Sequence, residues 1–193
     1  MGINSAVEHL SITQKVAILL LSAKSFQPIK GKLWFQKEFF LVAENLSQLQ
    51  EETDFEEDLL GPYSEIVDEE LEQLRLEGIV EKRKLQLTPL GREIAKSLQS
   101  KVSNNFLQLV SDIKSFLNDL TEDELLGFIY FSYPYMTTES IRYKQIEENR
   151  QQIAISLYRK GKVSLGKASQ IAGISQEDFI EKLREKRITI FSE

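Results

Sequence analysis

Residues Gly161–Phe191 read GKVSLGKASQIAGISQEDFIEKLREKRITIF. The spacing predicts two short helices around a tight turn, followed by a β-branched and aromatic tail. Lys162–Ala172 form the first helix, Gly173-Ile174 the turn, and Ser175 caps the second. Glycine suits a sharp helix–helix turn because it takes φ > 0 without strain. Ser175 and Asp178 stand three apart, in a pattern that resembles a capping box. Small Ala168, Ser169 and Ala172 let the two helices approach closely. These signals together spell a helix-turn-helix.

Working outward, a helix over about Lys144–Lys160 carries Ile146, Ile153, Ala154 and Leu157 on one face, and Gly161 stops it. It completes a trihelical module over 142–193. A unit this short needs docking or dimerisation to be stable, so a homodimer is expected. The module is also the basic part of the chain. Residues 142–193 carry 11 Lys and Arg against 7 Asp and Glu, whereas residues 1–141 carry 13 against 23. The net charge of −6 conceals that split.

The N-terminal region reads as helix, helix, helix, hairpin, helix. Ser11-x-x-Gln14 opens a helix to about Ser25 that is apolar nearly all round. A second helix, Lys32 to about Leu46, gathers Leu33, Trp34, Phe35, Phe39 and Phe40 as an aromatic core. A third runs from Glu65 to about Glu77 behind the N-cap Ser64, and Gly78 ends it. IVEKR and KLQLT then alternate at period two around a turn near Arg83-Lys84. Thr88-Pro89 opens a helix to about Leu98.

Residues 1–99 therefore read as a winged-helix domain with a small β-hairpin wing. They resemble winged-helix domains whose third helix starts at a G-P-Y-S motif, here Gly61–Ser64, with Pro89 and Gly91 of LTPLG at the strand-to-helix exit. A DNA-reading third helix needs Lys, Arg or amides. This one carries Glu65, Asp68, Glu69, Glu70, Glu72 and Glu77 against Arg75 alone, a sign that repels phosphate. Only Lys82, Arg83 and Lys84 in the wing turn are basic. The domain reads as protein-binding or dimerising.

Residues 100–141 are expected to be a helical linker or dimerisation segment. A helix over 103–118 has Phe106, Leu107, Val110, Ile113 and Leu117 as its stripe, and Thr121-x-x-Glu124 caps another that Pro134 ends. The aromatics of the latter, Phe128, Tyr130, Phe131 and Tyr133, belong to the core or to an oligomer face. The run Glu51, Glu52, Asp54, Glu56, Glu57, Asp58 is either a solvated loop or a polyanionic surface for a basic partner.

Composition narrows the chemistry. There is no Cys and one His, His9, so Cys/His zinc sites and HExxH are excluded and a Ser-His-Asp triad would depend on His9. Neither GxxxxGK[ST] nor GxGxxG occurs. No enzyme activity, metal or cofactor is expected. No apolar run reaches the roughly 18–20 residues of a membrane span, and no secretory signal opens the chain. A cytoplasmic location without membrane contact is expected.

Ile155–Ile190 resembles the small proteins of uncharacterised protein family 0175. Leu157, Tyr158, Gly161, Ser164, Leu165, Gly166, Lys167, Ala168, Ala172, Gly173, Phe179 and Leu183 carry the resemblance. It implies an antitoxin-like regulator associated with a PIN-domain ribonuclease, combining a DNA-binding unit with a toxin-binding tail. Beside it, the residues themselves nominate Ser175, Gln176 and Lys182 for DNA contact at the second helix, with Lys162, Lys167, Arg184, Lys186 and Arg187 flanking. Glu177 and Asp178 on the same turn oppose phosphate, and a purely structural helical hairpin is the competing reading. The tail ITIF could add a strand to a partner.

Overall fold

The computed structural model describes residues 7–190. The chain divides into two compact units, residues 1–56 with 62–119, and residues 57–61 with 120–193. The division along the chain falls at Asp119/Leu120.

The first unit holds α1 (Ile12–Phe26), α2 (Lys32–Ala43), α3 (Ser47–Thr53), α4 (Glu65–Leu76), α5 (Pro89–Gln99) and α6 (Asn104–Leu117). Ser11 and Gln14 form the expected capping box. Ile18, Leu20 and Leu21 of α1 are fully buried, as a helix apolar on every side requires. Its helical backbone stops early, because Lys24, Ser25 and Phe26 take left-handed conformations (φ 54°, 55° and 63°). Lys114 from α6 caps that end, its Nζ donating to the carbonyls of Leu20, Leu21 and Ala23 at 2.9, 3.3 and 3.1 Å.

Helix α2 is more than an aromatic core, for Gln36, Lys37 and Glu38 are buried beside Phe35, Phe39 and Phe40. Gln36 grips Ser64 twice: its Nε2 donates to the carbonyl at 3.0 Å, and its Oε1 accepts from the N–H at 3.1 Å. Lys37 Nζ donates to Pro62 O at 2.7 Å. The Pro62–Ser64 turn is therefore held from inside, and Ser64 caps α4 by accepting from Val67 N–H at 3.1 Å.

The winged-helix expectation fails here. Among the described residues there is no strand or sheet, only isolated bridges, Val80 to Leu87 and Ile29 to Leu85 among them. The cause is where the N–H groups go. Two bonds flank the Val80–Leu87 pair, Glu81 N–H to Gln86 O and Thr88 N–H to Ile79 O, but Ile79 N–H turns back to Leu74 O at the end of α4, at 2.9 Å, so the pairing extends no further toward α4. Ile79 and Val80 are also both buried, which breaks the alternation a half-buried strand needs. Lys82, Arg83 and Lys84 sit exposed on the intervening loop.

The acidic run is not one loop either. Glu51 and Glu52 belong to α3, Asp54 ends it at φ 43°, and Glu56 pairs with Tyr63 through two 2.9 Å backbone bonds. Phe55 tucks its ring against Phe39 and Phe40.

The second unit holds α7 (Glu122–Ser132), a 3₁₀ turn (Pro134–Met136), α8 (Tyr143–Glu148), α9 (Arg150–Arg159), α10 (Leu165–Ala172) and α11 (Gln176–Glu185). Thr121 and Glu124 make the reciprocal capping bonds that their spacing predicts. Leu125, Leu126, Ile129 and Tyr130 are fully buried, and Tyr130 stacks on Tyr143. Glycine at 127 allows α9 to approach, since a Cβ there would stand 2.7 Å from Ile153 Cγ2. The helix expected over Lys144–Lys160 is broken at Asn149 (φ −99°, ψ 3°). Residues 188–190 are not in a strand, and Phe191 lies outside the described residues.

Candidate nucleic-acid interface

Helices α9, α10 and α11 build the helix-turn-helix that the sequence announces. Gly161 (φ 65°) ends α9's turn, and Ser164 caps α10, its Oγ accepting from Lys167 N–H at 3.2 Å. Gly173 (φ 71°) closes α10 with its N–H on Ser169 O at 2.9 Å. Ser175 then caps α11 by accepting from Asp178 N–H at 3.0 Å, the one half of a capping box that forms. Phe179 and Leu183, one turn apart, bury the inner face of α11. Phe179 meets Tyr158 of α9 edge-on at 6.1 Å.

Two long-range clamps fix the module, and neither is visible in local sequence pattern. Arg150 donates to the carbonyls of Ile171 (Nε, 2.8 Å) and Gln170 (Nη2, 3.3 Å), while its guanidinium lies 4.2 Å from the Phe131 ring centre. A cation on the last carbonyls of α10 also opposes that helix's dipole. A Cβ at position 173 would stand 2.5 Å from Arg150 Cζ, so glycine serves the close approach as well as the turn.

The second clamp is Glu124. Its Oε1 accepts from Ser156 Oγ at 2.7 Å, and its Oε2 from Lys160 Nζ at 2.7 Å and Thr121 N–H at 2.8 Å. Burial alone would push this carboxyl up, but the bonds from Lys160, Ser156 and Thr121 prevail and hold it down at about 2. A depressed carboxyl contributes stability above its ordinary value of 4.5 that is lost as pH falls toward about 2. We expect a loss of roughly 2 kcal/mol over that interval, allowing for partial solvent screening. Glu124→Gln should flatten it in urea titrations across this pH range; an unchanged slope would refute the assignment.

The cations divide by use. Lys160 is committed to Glu124. Lys167 bonds Gln170 Oε1 at 3.2 Å and lies 5.8 Å from the Phe128 ring, with burial lowering its pKa. Lys162 and Lys182 are half-buried. Arg159, Arg184, Lys186 and Arg187 are exposed, as are Ser175 and Gln176. Arg159 and Lys186 flank a groove of about 330 Å³ with Gln152 and Ile155. Exposed Glu177, Asp178, Glu181 and Glu185 share α11 with Gln176 and Arg184. Acids at an N-terminus suit the dipole, so positive charge is left mainly to the far end of α11.

Of the acidic candidates, Glu51, Glu52, Asp54 and Glu56 are exposed in the first unit. Glu57 and Asp58 fall in the second and are half-buried, and Glu57 accepts from Thr138 N–H at 3.1 Å. The loop cations Lys82, Arg83 and Lys84 belong to the first unit. Among the described residues no acid or histidine cluster could hold a metal ion. None of their helices is long and apolar enough to cross a membrane.

The family model described as Uncharacterised protein family (UPF0175) matches residues 129–192. A UPF0175 protein of Archaeoglobus fulgidus is 36% identical over 64 residues, which is 33% of this chain and 74% of the relative. The chain belongs to UPF0175. No solved structure matches it. The UPF0175 segment runs from within α7 through α11 and includes Phe131, Arg150 and Gly173 of the first clamp. The first unit lies outside the matched UPF0175 segment.

Proposed function

We propose that this UPF0175 protein is a non-enzymatic, antitoxin-like regulator that contacts duplex DNA through its helix-turn-helix. The observation that carries the reading is the exposed start of α11, Ser175 and Gln176, in the same module as exposed Arg159, Arg184, Lys186 and Arg187. Gln176 can pair with an adenine edge in the major groove, while the cations neutralise phosphates and displace counterions. Glu177, Asp178 and Glu181 restrict base contact to that first residue pair, so backbone contacts supply most of the affinity. A homodimer would present two such modules, and the cytoplasm is the matching compartment. The family resemblance supports a PIN-domain ribonuclease as the protein partner.

Fluorescence anisotropy of a labelled duplex against the intact protein tests this. Affinity should fall as salt rises, with a log–log slope of about −3 to −4 for four phosphate contacts. Replacing Arg184, Lys186 and Arg187 by glutamate should reduce the steepness by about 3 and weaken binding at least tenfold. An absence of binding at low salt would sink the proposal.

A specific observation favours a second reading, a protein-interaction module that leaves DNA alone. Helix α4 exposes Glu65, Glu69, Glu72 and, just beyond it, Glu77, with Leu76 82% exposed among them. An apolar tip ringed by carboxylates suits a basic partner. Charge reversal at Glu51, Glu52 and Glu56 with these residues should then weaken capture of that partner and leave any DNA affinity intact.

A further inference from the structure

The left-handed end of α1 borders a cavity of about 300 Å³ within the first unit. Leu19, Phe26, Leu107 and Val110 supply apolar wall, and Ser22 and Gln99 supply polar groups. Gln99 Nε2 donates to Ser22 Oγ at 3.1 Å, which fixes both side chains at the wall. Lys24 is the one charged residue in the lining, and it is exposed to solvent. No carboxylate lines the space. The volume is at the lower end for small-molecule sites and equals roughly ten water molecules.

The backbone singles out the same place. Lys24, Ser25 and Phe26 are three consecutive non-glycine residues at φ 54°, 55° and 63°, and each all three line the cavity. Left-handed conformations cost non-glycine residues about 1–3 kcal/mol each and recur at ligand clamps. Here the surroundings enforce them. Lys114 holds the carbonyls of Leu20, Leu21 and Ala23, and the Arg92 guanidinium sits 5.3 Å from the Phe26 ring centre. Strain that a glycine would relieve is thus spent on setting Lys24 and Phe26 around the opening.

We infer that this cavity binds a small amphipathic anion, a short apolar chain ending in a carboxylate. The apolar walls take the chain, and the carboxylate meets Lys24 with the second Nε2 hydrogen of Gln99 as its hydrogen-bond donor; Ser22 Oγ, which donates to Leu19 O at 2.8 Å, holds Gln99 in place. The site lies outside the helix-turn-helix, so it stands or falls independently of DNA contact.

Hexanoate is the probe, titrated into the intact protein by calorimetry with amide chemical shifts as location. Saturable one-to-one binding is expected, with shifts centred on Leu19, Lys24–Phe26 and Leu107. Lys24→Gln, a solvent-exposed change that preserves the fold, should weaken hexanoate about tenfold, in the range of a lost charge-assisted bond. Leu107→Trp should fill the cavity and abolish binding; if that variant does not fold, Lys24→Gln decides. Hexan-1-ol and hexylammonium should bind at least tenfold more weakly than hexanoate. Lack of saturation, equal binding of hexan-1-ol, undiminished affinity in Lys24→Gln, or shifts centred elsewhere would each overturn the inference.

Discussion

Gly91→Ala is expected to destabilise the first unit by about 3 kcal/mol or more. A Cβ at position 91 would stand 2.2 Å from the carbonyl oxygen of Ile79 and 3.1 Å from its carbon. That carbonyl cannot step aside cheaply. It accepts from Thr88 N–H at 3.0 Å, while the Ile79 N–H is held by Leu74 O at 2.9 Å. Thr88 in turn caps α5, accepting from Gly91 N–H at 3.1 Å and donating to Gly78 O at 2.6 Å. Any shift therefore disturbs the end of α4, the loop and the start of α5 together. The expected fall in Tm is on the order of 10 °C by circular dichroism. Gly78→Ala is the contrast: φ is 72° but no atom lies within 4 Å of the added carbon, so only backbone strain of about 1 kcal/mol is due. Equal melting of the two variants would show that the contact with Ile79 is not limiting.

Lys114→Met should cost about 3–5 kcal/mol, the usual result of breaking a buried charged site from one side. It would strip three carbonyls at the end of α1 of their donor and remove the cation nearest Glu38 in electrostatic effect. Glu38 is fully buried and neither carboxylate oxygen has a hydrogen-bond partner. Burial raises its pKa well above the ordinary 4.5 despite the pull of Lys114, whose own value burial lowers to about 8. The signs follow from linkage. A carboxyl raised in the folded state favours folding fully below 4.5, and that contribution is lost as pH rises toward its folded value. Glu38→Gln should therefore be neutral or stabilising at neutral pH and should remove that decline. Urea unfolding of both variants, below and above neutrality, separates the two. A Lys114→Met protein as stable as the parent would contradict the assignment.

The parts legible in sequence were those whose physics is local. Ser11, Thr88, Thr121 and Ser175 each announce a helix start because the capping partner is three residues away. Gly173 announces its turn by the conformation it alone takes easily. The hairpin is not legible because alternation in IVEKR and KLQLT tells nothing of where the N–H of Ile79 goes. Arg150, the Lys160–Glu124 pair and the Gln36–Ser64 bonds join residues 20 to 36 positions apart, and no spacing rule reaches them. The same limit governs the site. Ser175 and Gln176 stand at the start of the second helix, where local spacing puts them, whereas the contacts of Lys167 with Gln170 and the Phe128 ring follow from packing that spacing does not encode.

Contact between the helix-turn-helix and DNA is tested most directly by following backbone amide signals of the intact protein as a short duplex is added at low salt. The expected shifts cluster at Ser175–Gln176, at Arg184–Arg187 and at Arg159, leave Glu65–Glu77 unmoved, and fade as salt rises. Shifts confined to α4, or none at all, would contradict DNA contact through α11.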